Sequence, residues 1–269
     1  MTNNPKENGR AMKWNLKIAP AAVVLGGASL LAASPAGAQD PLPSAQQIIE
    51  RYVEAMGGRE AVLGHTSSRS SGTFSMPAAG ISGTLLAQSA VPNLTVLRLE
   101  IPGLGTSLTG FDGEVGWSVD PNMGARLLEG AKLAALKEGS SRLAAVRDPS
   151  LFQEQQTVEL SEMNGEACYK VRMLWRSGRE TFDCFSSESG LLVGSMSRQS
   201  TPMGEIDVVT LMDQYRETGG VLTATRIRQQ MLGQEQVMTL DSIEYDVVEP
   251  SAFDLPEVIR ALIRDLNST

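Results

Sequence analysis

The sequence predicts a mainly antiparallel β protein with helices, an α+β fold. In it, a strongly curved, half-open barrel of about 11–13 strands is covered or plugged on its concave side by helices. Short runs of alternating polar and apolar residues recur at roughly ten-residue spacing, which is the pattern of antiparallel hairpins. The connections between these runs are too short for the crossover helix that parallel strands need. A sheet of that width has to curve, and its concave side is the natural place for a ligand.

A signal peptide is predicted for residues 1–38. Lys13 and Lys17 precede the apolar run from Ile18 to Leu31, and Ala36-Gly37-Ala38 supplies a small-x-small cleavage motif. The run is shorter than the ~20 residues that a helix needs to span a bilayer, so an uncleaved anchor is disfavoured. We therefore expect export to the periplasm and no stable membrane anchor after cleavage.

The mature chain is expected to be a single domain, residues 39–269. Residues 1–11 are either a polar extension of the signal peptide or precede a true start at Met12. The two cysteines, Cys168 and Cys184, lie far from the cleavage point, so the protein is not expected to be a lipoprotein. Removing the four cations and one anion of the signal peptide changes the net charge from −8 to −11. An acidic chain without a basic stripe argues against nucleic acid and anionic membrane surfaces as partners.

The first predicted element is a helix that begins after Ser44. The Ser44 hydroxyl can accept a hydrogen bond from a free backbone N–H in the first turn, which makes it a good N-cap. Gly57-Gly58 ends the helix. Its apolar face is formed by Ile48, Ile49, Tyr52, Val53 and Met56.

Strands follow in two groups, and together they number twelve. The first group is predicted at 71–77, 81–89, 94–101, 106–111 and 114–120. The segment 129–146, broken at Gly139-Ser140-Ser141, is predicted to be helical. The second group is predicted at 157–163, 167–175, 180–185, 191–198, 206–215, 221–231 and 236–247. An amphipathic helix from Pro256 to Leu266 closes the chain, with the proline at a plausible first helical position.

Three carboxylates, Asp112, Glu114 and Asp120, lie within nine positions and are the first candidates for a catalytic or metal site. Asp112-Gly113 is a preferred hairpin turn, and Glu114 and Asp120 alternate away from the apolar face of the following strand. A carboxylate pair for glycoside hydrolysis would have to converge in a pocket. The pattern favours a turn and a solvated rim over catalysis.

The single histidine, His65, excludes zinc-peptidase signatures that use several histidines. A Ser-His-Asp arrangement would depend on this one loop residue, and a solvated surface histidine is the favoured interpretation. Motifs of the nucleophile elbow, the P-loop and the dinucleotide-binding unit are absent from the sequence. We therefore expect neither enzymatic activity nor a cofactor or metal.

The cysteines are expected to form a disulfide in an oxidising compartment. If the intervening turn centres near Arg176 and Ser177, Cys168 and Cys184 face each other directly across a hairpin. Two buried free thiols remain the alternative, because a register slip of one residue would separate them.

The mature chain is rich in methionine and poor in aromatic residues. Flexible thioethers suit a surface that accepts irregular apolar ligands, and they fill gaps in any core equally well. Strand alternation places Val115, Trp117 and Val119 on one face. The residues predicted to line an apolar ligand site are Val115, Trp117, Val119, Met173, Met212 and Met231.

Several stretches resemble a family of secreted bacterial proteins with the outer-membrane lipoprotein-sorting, or LolA-like, fold. They span nearly all of the mature chain and include YVEAMGGR at 52–59, PGLG at 102–105, FDGEVGW at 111–117, CYKV at 168–171, ESGLL at 188–192, DQYR at 213–216 and FDLP at 253–256. The resemblance implies a half-open antiparallel barrel around helices, whose apolar concave face shelters acyl chains in the carriers of the family. Related envelope regulators use a similar fold to sense lipoproteins or lipids. No functional residue of a carrier matches a position here.

The leading hypothesis is a periplasmic, non-enzymatic protein that holds a lipid or a lipoprotein acyl chain in the concavity of its sheet. The alternative is an envelope module that senses stress or binds another protein through a sheet edge or its acidic outer face.

Overall fold

The structure is a computed structural model that describes residues 41–201 and 204–268. The predicted signal peptide lies outside these residues. The cleavage site and the single-domain boundary therefore stay predictions.

The described residues form one antiparallel sheet of thirteen strands, whose spatial order is β6-β5-β4-β3-β2-β1-β13-β12-β11-β10-β9-β8-β7. Neighbouring strands of the sheet are also consecutive in sequence, except for β1 and β13, which pair with each other. The sheet is not closed, since β6 and β7 are its two edges. The predicted curved, half-open α+β fold is confirmed.

The first strands are β1 (Ser67–Met76), β2 (Ile81–Ala90), β3 (Leu94–Ile101), β4 (Gly105–Phe111), β5 (Gly116–Asp120) and β6 (Gly124–Leu127). The others are β7 (Phe152–Met163), β8 (Glu166–Trp175), β9 (Glu180–Ser186), β10 (Leu192–Thr201), β11 (Gly204–Thr218), β12 (Val221–Met231) and β13 (Gln234–Tyr245).

The helices differ from the prediction in two details. The described residues contain α1 (Ala45–Ala55), α2 (Arg59–Gly64), α3 (Gly130–Ser140), α4 (Arg142–Ala145) and α5 (Glu257–Asn267). Helix α2 was not expected, because six residues are too few to show a helical period. Pro256 is the N-cap of α5 instead of its first helical residue. The segment 129–146 breaks at Ser141, which is within the predicted break.

Helix α1 begins as the sequence predicts. The Ser44 hydroxyl accepts from the backbone N–H of Gln47 at 3.2 Å, and the Gln47 side chain accepts from the Ser44 N–H at 2.9 Å. This reciprocal capping box satisfies two N–H groups that the helix itself cannot pair. Its apolar face packs on β7–β10, where the rings of Tyr52 and Phe185 are 5.0 Å apart. The helix thus covers one part of the concave side.

The C-terminal end of α1 is fixed to the sheet through glycine. The N–H of Leu222 donates to the carbonyl of Met56 at 2.9 Å. Gly57 has a φ of 112°, and a Cβ there would lie 2.1 Å from the carbonyl oxygen of Gly220. Only glycine fits so close to another backbone in this conformation.

Cys168 and Cys184 form the expected disulfide, with their Cα atoms 5.4 Å apart. The predicted direct pairing is wrong. Cys168 lies opposite Ser186 and Cys184 opposite Lys170, so the bridge is diagonal across β8 and β9. The register is shifted by two residues relative to the prediction because the turn centres on Ser177. A shift of two keeps both cysteines on the same face.

Candidate functional site

A cavity of about 600 Å³ lies between the helices and the concave side of the sheet. Residues of α1–α4 form one wall, and residues of β1–β3 and β8–β13 form the other. A volume of this size lies within the ~300–1,000 Å³ that is usual for small-molecule sites. The fold therefore leaves room that its own side chains do not fill.

The apolar part of the wall combines residues from both layers. Its members include Tyr52, Met56, Val62, Ala144, Met212, Val221, Ala224, Ile227 and Leu240. Tyr52, Met56, Val62, Ala144 and Val221 also belong to the buried core. The cavity is therefore continuous with the core that joins helices to sheet.

A buried ion pair forms one polar part of the wall. The Nε of Arg147 donates to a carboxylate oxygen of Asp183 at 2.6 Å, and its Nη1 donates to the carbonyl of Ala144 at 2.6 Å. The Asp183 side chain is 5% exposed. Burial is the largest single influence and lowers the pKa of the Arg147 guanidinium, but the charge of Asp183, the hydrogen bond to it and the Tyr52 hydroxyl together outweigh burial, so the pKa is raised. The two opposite charges satisfy each other inside the protein.

A second arginine of the wall, Arg179, is also paired. Its Nε donates to the carboxylate of Glu138 at 3.0 Å. Its guanidinium lies 4.4 Å from the centre of the Trp175 ring, the arrangement of a cation–π contact. The Trp175 indole N–H donates to Thr181 at 3.0 Å.

His65 is not the free surface group that the sequence suggested. Its Nδ1 lies 2.7 Å from a carboxylate oxygen of Asp246 and its Nε2 lies 2.9 Å from the carbonyl of Gly219. The ring stacks on Tyr245 with centroids 4.0 Å apart. Two acceptors can both be satisfied only when both ring nitrogens carry protons. The pKa of His65 is raised, first by the hydrogen bond to Asp246 and then by that to the Gly219 carbonyl.

The third arginine of the wall is Arg142, at the start of α4. Its Nη2 donates to the carbonyl of Val62, which joins α4 to α2. His65, Thr66, Ser140 and Ser141 line the same cavity.

The carboxylates of the 112–120 stretch lie at opposite ends of a strand and do not converge. One Asp112 oxygen accepts from the N–H groups of Glu114 and Val115, at 2.9 and 2.7 Å, and so shapes the turn before β5. Asp120 accepts from Asn122 and Met123 in the turn after β5, and those bonds lower its pKa. Among the described residues no group of three His, Cys, Asp or Glu side chains could hold a metal ion.

Of the six residues predicted to line a ligand site, Met212 lines the cavity. Residues that face each other across β3–β5 form rows, and successive rows point to opposite faces of the sheet. Trp117 faces Gly110 in one row, and the cavity residue Thr95 belongs to the next row. Trp117 therefore lies on the other face of the sheet. Val119 shares the face of Trp117 by alternation, and Val115 lies half-buried in the turn before β5.

The two remaining methionines have different surroundings. Met173 is fully buried in the core under α1. Met231 is half-buried at the far end of β12, on the face of Ile227 by alternation. Neither contributes to the wall of the cavity described above.

The three cavity arginines and Asp183 were not predicted from the sequence. A signal was present, since Asp183 interrupts the apolar run TFDCF and Arg147 follows the apolar end of the 129–146 segment. Charged residues in such positions are seldom buried unless they are paired. Their partners, however, are far away in sequence.

None of the helices within the described ranges is long and apolar enough to cross a membrane.

Comparisons with known proteins identify the fold. No protein-family model matches the chain, and no curated protein matches it. Among solved structures, a DUF1329 family protein from Desulfovibrio piger superposes with a TM-score of 0.53 at 13% identity, over 78% of this chain and 97% of the other. A LolA superfamily protein from Nitrosomonas europaea gives 0.53 at 12% identity, over 80% and 99% of the two chains. A putative outer membrane lipoprotein-sorting protein domain from Vibrio parahaemolyticus gives 0.52 at 10% identity, over 78% and 97%. The chain therefore has the LolA-like fold of the outer-membrane lipoprotein-sorting proteins.

Proposed function

We propose that this protein is a periplasmic, non-enzymatic carrier that binds a lipid or a lipoprotein acyl chain in the cavity between its helices and its sheet. The observation that supports it most is the open volume of about 600 Å³ inside a fold shared with lipoprotein-sorting proteins. Release from the membrane by signal-peptide cleavage, with no lipid attachment, is part of the same proposal.

Affinity in such a site would come from apolar surface removed from water. Each methylene of a bound chain contributes about 0.8 kcal/mol before the costs of binding are subtracted. The wall residues Met56, Met212 and Ile227 are of the kind that adapts to a flexible chain, since thioether and branched aliphatic groups offer many weak contacts. Met212 is the residue of the predicted ligand-lining set that this proposal retains.

Native mass spectrometry of protein purified from its own periplasm tests the proposal. We expect a co-purified lipid, and displacement of an uncharged fluorescent dye by added amphiphile. An empty protein from which no dye is displaced would contradict it.

A matched pair of variants makes the test specific to the cavity. Ser195→Phe places a ring into the cavity from β10 and is expected to abolish dye binding. Ser82→Phe adds the same group at an exposed position of β2 and is expected to leave binding unchanged. Equal loss in both variants would argue that the dye binds elsewhere.

The alternative function, an envelope interaction or stress-sensing module, is favoured by one feature. The edge strand β7 exposes Val158 and Leu160, at 43% and 56%, and pairs along one side only. A partner strand could add to that edge. Crosslinking in the periplasm from position 158 distinguishes the two: a specific partner captured by a protein without bound lipid would favour the alternative.

A further inference from the structure

Arg142 differs from the other two arginines of the cavity wall in lacking a carboxylate partner. Arg147 is paired with Asp183, and Arg179 with Glu138. Within residues 41–201 and 204–268, Arg142 has no carboxylate within 4.0 Å, and its one hydrogen bond goes to the backbone of Val62. A guanidinium has five N–H donors, so most of its capacity is unused.

The nearby carboxylate of Asp246 is engaged by other donors and is not a direct partner of Arg142. Its two oxygens already accept from His65, from the N–H and the hydroxyl of Thr66, at 2.6 and 2.9 Å, and from the N–H of Ser67. Asp246 acts on Arg142 through charge alone. The carboxylate is held at the start of β1, and Arg142 stays free to bind something else.

The three charged groups at this end of the cavity do not balance. Arg142 and the protonated His65 carry two positive charges against the one negative charge of Asp246, which leaves an excess of one. Arg142 is half-buried, and burial lowers the pKa of its guanidinium. A cation taken partly out of water without an anion is unfavourable, and a bound anion would relieve that cost.

We infer that this end of the cavity binds the anionic head group, a carboxylate or a phosphate, of a single-chain amphiphile, with Arg142 as the direct contact. The inference rests on the proposed function, since the acyl chain would occupy the apolar part of the same cavity. Asp246 and His65 are 47% and 22% exposed, so this end of the cavity reaches solvent. The hydroxyl of Ser141, next to Arg142 in the chain, lines the same cavity and can donate to the head group. A guanidinium binds both carboxylates and phosphates through paired N–H donors.

Three probes with one alkyl chain and different heads test this inference. They are palmitate, hexadecyl phosphate and methyl palmitate, each used below its micelle concentration to displace the uncharged dye Nile red at pH 7. We expect at least one of the two anions to bind about tenfold more tightly than the ester, since a hydrogen bond to a charged group contributes ~1.5–3 kcal/mol. The anion whose affinity exceeds that of the ester by the larger factor identifies the head group.

The variant Arg142→Gln is expected to bring the preferred anion down to the affinity of the ester and to leave the ester itself unchanged. Arg142→Lys should keep part of the preference, because it retains the charge without the fork of donors. Arg126→Gln removes an arginine from β6, outside the cavity, and should keep all of it. The melting temperature of each variant establishes that it is folded. If Arg142→Gln does not fold, the head-group preference of the wild type and its partial loss in Arg142→Lys still test the inference.

The outcomes separate the two claims. Equal binding of the ester and both anions by the wild type, or a preference that survives in Arg142→Gln, overturns the head-group inference and leaves the carrier function in place. Failure of all three probes to displace the dye overturns both.

Discussion

The buried ion pair between Arg147 and Asp183 gives the most quantitative prediction. Asp183→Ala removes the carboxylate and leaves a guanidinium whose side chain is 15% exposed without its counter-charge. Removing one partner of a buried pair costs about 3–5 kcal/mol, most of it the desolvation of the remaining charge. We therefore expect the free energy of unfolding to fall by about that amount.

Urea denaturation followed by tryptophan fluorescence measures the loss. With a slope of about 1–3 kcal/mol per molar, the midpoint should fall by about 1 M or more. The double variant Arg147→Met, Asp183→Leu removes both charges and should recover most of the stability, since an apolar pair of similar volume is often as stable as a buried ion pair. Asp207→Ala, which breaks an exposed pair with Arg198, is the control and should leave the midpoint unchanged. An Asp183→Ala midpoint equal to that of the control, or a double variant less stable than the single one, would refute the account of this site.

Three further predictions concern the supports of the cavity. Because the pKa of His65 is raised in the folded protein, its contribution to stability is complete below about pH 6.5 and is lost as the pH rises through the folded value. The free energy of unfolding, measured between pH 5 and 9, should show this loss in the wild type and not in His65→Gln. Gly57→Ala forces a Cβ to within 2.1 Å of the Gly220 carbonyl and should destabilise the protein by more than about 1 kcal/mol, whereas Gly58→Ala, where the added Cβ meets nothing within 4 Å, bears only the strain of its positive φ and should cost less. Reduction of the disulfide, whose cysteines are 16 residues apart, should lower the free energy of unfolding by about 3 kcal/mol, and a Cys168→Ser, Cys184→Ser variant should show no further effect of reductant.

Local features of the sequence were sufficient to predict most of the elements. The N-cap at Ser44 acts over three residues, and its prediction is confirmed. A turn does form at Asp112, but the connection takes the four residues 112–115 instead of the predicted two-residue Asp112-Gly113 turn. Strand β6 was missed because four residues carry too little alternation to stand out. The diagonal disulfide was missed because a register depends on where a turn closes, and a pattern of period 2 reads the same after a shift of two.

The site was less predictable for a different physical reason. Alternation groups Val119 with Trp117 on one face, but it does not say which face of the sheet is concave, and the structure places that face away from the cavity. The polar wall depends on pairs that folding brings together, such as Arg147 with Asp183 and His65 with Asp246, which are 36 and 181 residues apart. No local pattern encodes such partners.

The dependence of affinity on chain length tests the central claim, that the cavity holds a single acyl chain, most directly. Saturated fatty acids from eight to eighteen carbons are titrated against dye-loaded protein by displacement. We expect the affinity to rise by about fourfold per methylene, the equivalent of ~0.8 kcal/mol, until the cavity is full and the affinity levels off. An affinity that does not change with chain length, in a protein that is folded and free of bound lipid, would contradict the claim.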